Sequence, residues 1–401
     1  MKLVTIPTEK YEKYRLDVIF KGYKWDPQFK DNNTVAKHIL VITKEEFAEL
    51  ERLTEKLSTE TLNAEIAINN NLHLAQSLAI PKQIRRELKR MKNYSADQHV
   101  RLMRFDFHPT DNGYALSEVN SDVPGGFAEA SILPELAAAL FTGKKYWHKD
   151  FGEILANEIA NKVVPNGKVA FVHCTSYSDD RQVMQFIGDK LENMGLRTIY
   201  AGADHLMFEN NKALCTLDGN VGSVNFIFRF TPLEWLVGIK PKRWQGYFDT
   251  LTPSCNHPAS FFTQSKKFPM AWNQLEQQGV DLSTWRALLP ETLLEVRDVS
   301  GKDGFIYKPV YGRVGEGISI KEACTDEEYA KIMNKVKRNP KKYIAQKMFD
   351  SIPLTTEDED KYHLCLGAYS VNGKAAGFYA RISKTPRIDS NSADIPVLVE
   401  G

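Results

Sequence analysis

Residues 101–120 read RLMRFDFHPTDNGYALSEVN. Apolar and polar residues alternate on both sides of a TDNG turn signal, which predicts a two-stranded hairpin. With the turn centred on Asn112, Arg104 lies opposite Asn120 and Asp106 lies opposite Glu118. Side chains alternate faces along a strand, so these four share one face, while Phe105, Phe107 and Val119 share the other and read as core. Two carboxylates set directly across a sheet repel each other. A divalent cation removes that repulsion. Two carboxylates and an amide carbonyl are hard oxygen donors of the kind Mg²⁺ accepts while it keeps waters and bridges to phosphates. Asp106, Glu118 and Asn120 are therefore candidate metal ligands, and Arg104 beside them is a candidate clamp for a phosphoryl group or carboxylate. The competing reading is a solvated hairpin face on which Arg104 simply pairs with Asp106 or Glu118. A one-residue slip in register would move one strand's side chains to the other face.

The chain around this hairpin has 401 residues, too many for one ordinary core, so two or three packed lobes are expected. Hydrophobic residues make up 42% and charged residues 26%, a globular balance, and the net charge of +1 implies neither a nucleic-acid nor a membrane partner. The N-terminal stretch lacks the apolar run of a signal peptide, and no run of about 18 apolar residues occurs. The five cysteines are scattered and form no CxxC pair, which favours a reducing, cytoplasmic setting over a disulfide framework or zinc site. Cys174, at the end of an apolar run, is expected to be a buried thiol without chemistry.

Helical periodicity predicts a long helix over 44–78, opened by a Thr43/Glu46 capping box, and a second over 81–92 with Pro81 in its first turn. Further helices are expected at 127–141 and 148–162. Residues 167–200 form a βαβ unit: strand KVAFVHC, loop TSYSDD, a helix with one apolar stripe, Gly195, and strand LRTIYAG. Residues 305–320 read as strand, glycine loop, strand, followed by a helix over 325–338 and a strand over 342–349. An acidic loop (355–362) precedes a hairpin over 364–384 turned by Asn372-Gly373. Mixed α/β and antiparallel segments argue for a multi-lobe enzyme of α/β or α+β class.

Four further clusters bear on chemistry. In YKPVYGRVGEG (307–317), Lys308 ends an apolar strand and Gly312, Gly315 and Gly317 leave a loop with few side chains. A triphosphate needs such a lysine and closely approaching backbone amides. The spacing matches neither a P-loop nor a dinucleotide fingerprint, and a plain hairpin loop is the alternative. In TQSKK (263–267), Lys266 or Lys267 is either a second phosphate lysine or a solvated surface residue. Asp179 and Asp180, after a parallel strand, either hold a cationic amine or cap the following helix. Arg381, Ser383, Lys384 and Arg387 form a basic cluster near the C-terminus, or an ordinary basic surface loop.

Taken in order, RFDF (104–107), SEVNSD (117–122), IFRFTPLEWL (227–236), TQSKK and YKPVYGRVGEG resemble the glutathionylspermidine synthase family. The resemblance covers roughly residues 100–385 and is most specific in the R-x-D…E-x-N pattern, with eleven residues between Asp and Glu. It implies an ATP-grasp fold related to eukaryotic glutathione synthetase, with a pre-ATP-grasp βαβ lobe and an N-terminal helical segment. The implied division is a mainly helical segment over 1–95, a metal hairpin and helix of the ATP-grasp core over 96–145, an α/β substrate lobe over 146–255, and nucleotide-binding lobes over 256–401. An amidase domain is not expected.

The same resemblance implies ATP and Mg²⁺ as cofactors and an ATP-dependent carbon–nitrogen ligase as the activity. It maps the metal ligands onto Asp106, Glu118 and Asn120, and the phosphate-neighbouring arginine onto Arg104. The ATP lysines fall on Lys308 and Lys266, the glycine loop on Gly312 and Gly315, and the adenine hinge on Gln346, Lys347 and Met348. The acidic pair near the amine falls on Asp179 and Asp180, and a transition-state arginine on Arg381. Where the bifunctional synthases carry two serines after E-x-N, this chain has Val123 and Gly125, so the substrate wall differs and neither glutathione nor spermidine is carried over. The expected partners are a small-molecule or peptide carboxylate and an amine acceptor. A nucleotide-binding module without ligase activity, and a phosphotransferase, are the alternatives.

Overall fold

The computed structural model describes residues 1–293, 296, 304–312, 315 and 317–401. Its spine is an antiparallel sheet ordered Ala393–Ile395, Lys374–Ser383, Lys361–Val371, Leu102–Thr110, Gly113–Asn120, with Leu354–Thr355 added beside Lys361–Val371. The 102–120 hairpin therefore lies against the strand of a second hairpin far downstream, Phe107 opposite Leu366 and Leu102 opposite Val371. That second hairpin turns at Asn372-Gly373, both with positive φ, as the Asn-Gly pair predicts.

The first hairpin pairs Arg104 with Asn120 and Asp106 with Glu118. It reaches that register by a different route from the expected one. The turn is the two residues Asp111 and Asn112, closed by Thr110 opposite Gly113, and a bulge at Ser117 supplies the one-residue shift between Phe107/Leu116 and Asp106/Glu118. A bulge inserts one unpaired residue and re-aims those beyond it. Phe105 and Phe107 are fully buried, on the face turned away from Asp106.

The helix Lys44–Asn70 lies across that apolar face. Thr43 and Glu46 form the expected capping box, and Phe47, Leu50, Leu53 and Leu57 are buried. Ser58 and Ser370 share a buried hydrogen bond of 2.7 Å between helix and sheet. The helix ends at Asn70 instead of continuing to 78, and a 3-10 turn, Leu74–Leu78, follows. Asn71 leaves helical geometry and its side chain accepts from the His73 amide, the local alternative to helix that asparagine offers. Pro81 sits just outside the helix Lys82–Leu88, at its N-cap. Helices also form at Ile132–Ala138 and Phe151–Ala160.

A parallel sheet ordered Ser254–Cys255, Phe226–Arg229, Lys168–Val172, Arg197–Ala201 forms the α/β lobe, with the crossover helix Ser178–Asn193 between its first two strands in chain order. A third sheet, Thr292–Leu293, Tyr343–Lys347, Phe305–Pro309, is covered by the helix Asp326–Arg338 through Ile332, Met333 and Val336. The strand expected at 318–320 does not form. Ser319 instead caps Tyr307 with its hydroxyl, at 2.9 Å from the Tyr307 amide, and bonds the Tyr307 carbonyl through its own amide. In the N-terminal segment, Lys2–Thr5 and His38–Ile42 join Val397–Glu400 and Tyr146–Trp147 in a fourth sheet, so the two ends of the described chain meet. No helix of the described residues is long and apolar enough to cross a membrane. All five cysteines are free thiols, and Cys174 is partly exposed, not buried as expected, because its strand ends at Val172.

The end of the first hairpin is bolted to the α/β lobe. Asp122, two residues past the strand Gly113–Asn120, accepts from Arg229, from the Leu233 amide at 3.1 Å and from Ser260 at 3.3 Å, and both Asp122 and Arg229 are buried. The Asn256 side chain bonds the amide and carbonyl of Leu102 and the carbonyls of Ser121 and Asp122. Removing one member of a buried ion pair strands the other charge. Asp122→Ala should therefore lose about 3–5 kcal/mol of stability, read as a lower urea midpoint at unchanged slope.

Candidate active site

The polar face of the first hairpin opens onto a cavity of about 650 Å³ between the central sheet, the α/β lobe and the third sheet. Arg104, Asp106, Glu118 and Asn120 line it from the hairpin, Val123 and Gly125 from the following loop, Lys308 from the end of Phe305–Pro309, and Arg381 from Lys374–Ser383. Asp179 and Asp180 line it too, from the first turn of Ser178–Asn193. The N-cap of that helix is Tyr177, without a side-chain cap, so the acidic pair is not the cap that the sequence left open as an alternative.

Arg104 grips Asp106 with two nitrogens, Nε to Oδ1 at 2.7 Å and Nη2 to Oδ2 at 3.0 Å. Its Nη1 donates to the Gly125 carbonyl at 2.9 Å, and its guanidinium lies 5.0 Å from the Tyr379 ring centre. Opposite Asp106 in the next strand is Gly367, where a Cβ would meet the Arg104 chain at 2.7 Å. Glycine there is what lets the arginine lie flat across the sheet. The ion pair named as the competing reading thus exists, but it is buried and faces the cavity instead of solvent.

Glu118 pairs with Lys266 at 2.7 Å, and Lys266 also donates to the Gly312 carbonyl at 2.8 Å. Burial opposes ionisation of Glu118, yet Lys266 and Lys308 hold its carboxyl down to about 2. Lys308 is buried, which brings its ammonium down to about 8 against the pull of Glu118, and it donates to the Ser117 carbonyl at 3.2 Å. Burial pushes the Asp106 carboxyl up against Arg104. Arg104, Lys266 and Lys308 against Asp106 and Glu118 leave an excess of positive charge, the polarity that suits a polyphosphate.

Among the described residues no three His, Cys, Asp or Glu side chains form a ready-made metal cage. Asp106 and Glu118 face each other on one surface, and the Asn120 side-chain N–H donates to Asp106 at 3.0 Å, which leaves the Asn120 carbonyl oxygen as a candidate metal ligand. Two carboxylates and one amide oxygen fit an ion that takes its remaining ligands from phosphates and water, as Mg²⁺ does.

The remaining expected residues divide. Gly315 lines the cavity with φ +67°, and a Cβ there would meet the Ile388 carbonyl at 2.5 Å, so the glycine packs its backbone directly on the 386–390 segment. Residues 313, 314 and 316 of the same loop lie outside the described residues. Gly312 touches the site through Lys266. Gln346 lines a smaller cavity on the far side of the Glu118–Lys266 pair, with one side-chain oxygen lacking a partner. Lys347 and Met348 are exposed and line neither cavity, and the Met348 amide is taken by the Gly304 carbonyl at 2.8 Å.

Sequence reasoning missed a second set of cavity residues. Lys24, buried, meets Asp26 at 2.8 Å, Glu129 at 3.1 Å and Asp394 at 2.7 Å. Asp394 also accepts from Tyr379 at 2.8 Å and faces Arg381 at 3.6 Å. The available signals were weak: a lone acid inside apolar FAEAS (127–131) and another inside SADIPVLVE (392–400).

This is an ATP-grasp-type fold. The model of the glutathionylspermidine synthase preATP-grasp family matches residues 6–400, and the chain belongs to that family. No curated protein sequence matches it. Among solved structures, a glutathione synthetase-like effector from Globodera pallida in its apo form is 12% identical, with 98% of this chain and 97% of that chain covered at a TM-score of 0.60. A putative gamma-glutamylcysteine synthetase from Methylobacillus flagellatus is 13% identical, with 84% and 88% covered at a TM-score of 0.46.

Removing the Lys266 charge takes away the main support of the Glu118 anion. In Lys266→Met, Glu118 should titrate above about 2, toward its ordinary 4.5, in a carboxyl ¹³C titration. In the wild type, the stability tied to Glu118 should be full above that ordinary value and decline as pH falls toward about 2.

Proposed function

We propose that the protein is an ATP- and Mg²⁺-dependent ligase that joins a carboxylate to an amine through an acyl-phosphate. The observation that carries this reading is the convergence of the Asp106/Glu118/Asn120 face, Arg104 and Lys308 on one cavity that Asp179 and Asp180 also line. A site for phosphates and a site for a cation in one space suit phosphoryl transfer followed by amine attack.

Lys308 and Lys266 hold the nucleotide phosphates, and Gly312 and Gly315 belong to the loop over them. Gln346, which lines the adjoining smaller cavity, is the residue of the expected hinge placed to form the adenine side. Mg²⁺ held by Asp106, Glu118 and Asn120 would neutralise charge on the transferring phosphoryl group. Arg104 and Arg381 steady the carboxylate and the charge that develops as its oxygen bonds the γ-phosphorus and ADP leaves. The amine nitrogen then attacks the acyl carbon, and the carbon–oxygen bond to phosphate breaks. No covalent bond to the enzyme is needed. Water exclusion protects the acyl-phosphate meanwhile. Val123 and Gly125 wall the carboxylate substrate, a small molecule or peptide, and Asp179 and Asp180 attract the ammonium form of the acceptor.

The test is release of ADP and phosphate dependent on both a carboxylate and an amine, with the product weighed by mass spectrometry. An amide supports the ligase. A stable phosphorylated product points to a phosphotransferase, and Mg-ATP binding with no turnover across the panels points to a binding module. Glu118→Ala should abolish turnover while the thermal melt stays cooperative. Normal turnover in that variant would remove the hairpin from the mechanism.

A further inference from the structure

Resting on the ligase reading, a second requirement arises. An amine arrives at neutral pH as an ammonium, which has no lone pair to attack with, so a group in the cavity has to take its proton. Beside Asp179 and Asp180, assigned above to attracting the ammonium, the acids lining the cavity differ in their freedom to do so. Asp106 is held by two bonds from Arg104 and one from Asn120. Glu118 is paired with Lys266 and is too weak a base at about 2. Asp394 is occupied by Lys24 and Tyr379, with Arg381 beside it. Asp26 is shared between Lys24 and the Gln182 side chain, at 3.0 Å from the latter.

Glu129 differs from these. It is 5% exposed and lines the cavity nine residues beyond Asn120, on the loop that carries Val123 and Gly125. One oxygen meets Lys24 at 3.1 Å, and the other, Oε2, is buried with no hydrogen-bond partner. A buried carboxylate oxygen without a donor is costly in a folded protein, and such atoms mark places where a ligand supplies the missing hydrogen.

We propose that Glu129 is the general base of the amine half-reaction, its Oε2 accepting a proton from the substrate ammonium, with Lys24 and Asp394 as positioning residues. The N–H bond of the ammonium breaks and its proton passes to Glu129. The freed nitrogen bonds the acyl carbon, phosphate leaves with the C–O electron pair, and that phosphate takes the second nitrogen proton as the amide forms. Glu129 then returns its proton to solvent. Burial raises the Glu129 carboxyl above its ordinary value while Lys24 opposes the rise, and Asp394 and Asp26 add to it. A raised carboxyl is the better match to an ammonium. Lys24 ties the base to Asp26 and Asp394, and through Asp394 to Tyr379 and Arg381, so it orients the carboxylate without touching the amine.

Hydroxylamine separates the two halves of the reaction, because it is uncharged at neutral pH and traps an acyl-phosphate as a hydroxamate without a base. Wild type, Glu129→Gln and Glu129→Asp would be assayed with Mg-ATP and a panel of amino acids, dipeptides and tripeptides, using either hydroxylamine or primary alkylamines. The readout is the ratio of amide to hydroxamate, which is independent of how much protein is folded. Glu129→Gln should still form hydroxamate while amide falls about a hundredfold or more, and Glu129→Asp should recover part of the ratio. Wild-type amide formation should fall at acid pH as Glu129 protonates, and Glu129→Gln should lack that limb. An unchanged ratio and pH profile in Glu129→Gln would overturn the base and leave the ligase standing. Equal loss of amide and hydroxamate would also overturn it, assigning Glu129 to the first half-reaction. A wild type that forms neither product would overturn the ligase reading and the base with it.

Discussion

The buried Asp122–Arg229 pair is the constraint on which the site depends. Asp122 lies two residues past the strand Gly113–Asn120, and Arg229 ends a strand of the α/β lobe. Their bond, with the Asn256 amide clamping both strands of the hairpin at its open end, sets where the hairpin stops and the substrate wall begins. Such a pair contributes little net stability over an apolar substitute, but it is directional. It holds the two lobes in one orientation, and the cavity between them keeps its shape.

Within that frame, charge is arranged in two poles. At one, three cations outnumber two carboxylates around the hairpin face. At the other, acids collect: Asp179 and Asp180 on the first turn of Ser178–Asn193, and Asp26, Glu129 and Asp394 around Lys24. Arg104 stacked on Tyr379, whose hydroxyl reaches Asp394, is the physical link between them. A substrate pair with an anionic and a cationic partner is sorted by such a field before any specific contact is made.

Much of this was legible along the chain. Period-two alternation identified the first hairpin, and an Asn-Gly pair located the turn of the second to the residue. The face shared by Arg104, Asp106, Glu118 and Asn120 was read correctly although the turn was placed half a residue off, because the Ser117 bulge made up the difference. Bulges leave no reliable mark in a single sequence, so that agreement depended on compensation. Gln346, Lys347 and Met348 show the opposite case. Their strand was clear, but which side chains reach a cavity depends on the sheet's packing, and two of the three do not.

By itself the sequence determined most of the elements, the hairpin face and its four polar residues, and the order of motifs that points to the family. These follow from local periodicity and from turn chemistry, which act over a few residues. Only the tertiary structure decided what that face meets. Lys24, Glu129 and Asp394 are separated by more than a hundred residues each, and nothing local distinguishes them from surface charges. They become one cluster because the two ends of the described chain pair in a single sheet and carry Lys24 and Asp394 to the loop that bears Glu129. Burial then made them matter, since an unpaired charge costs little in water and a great deal inside a protein.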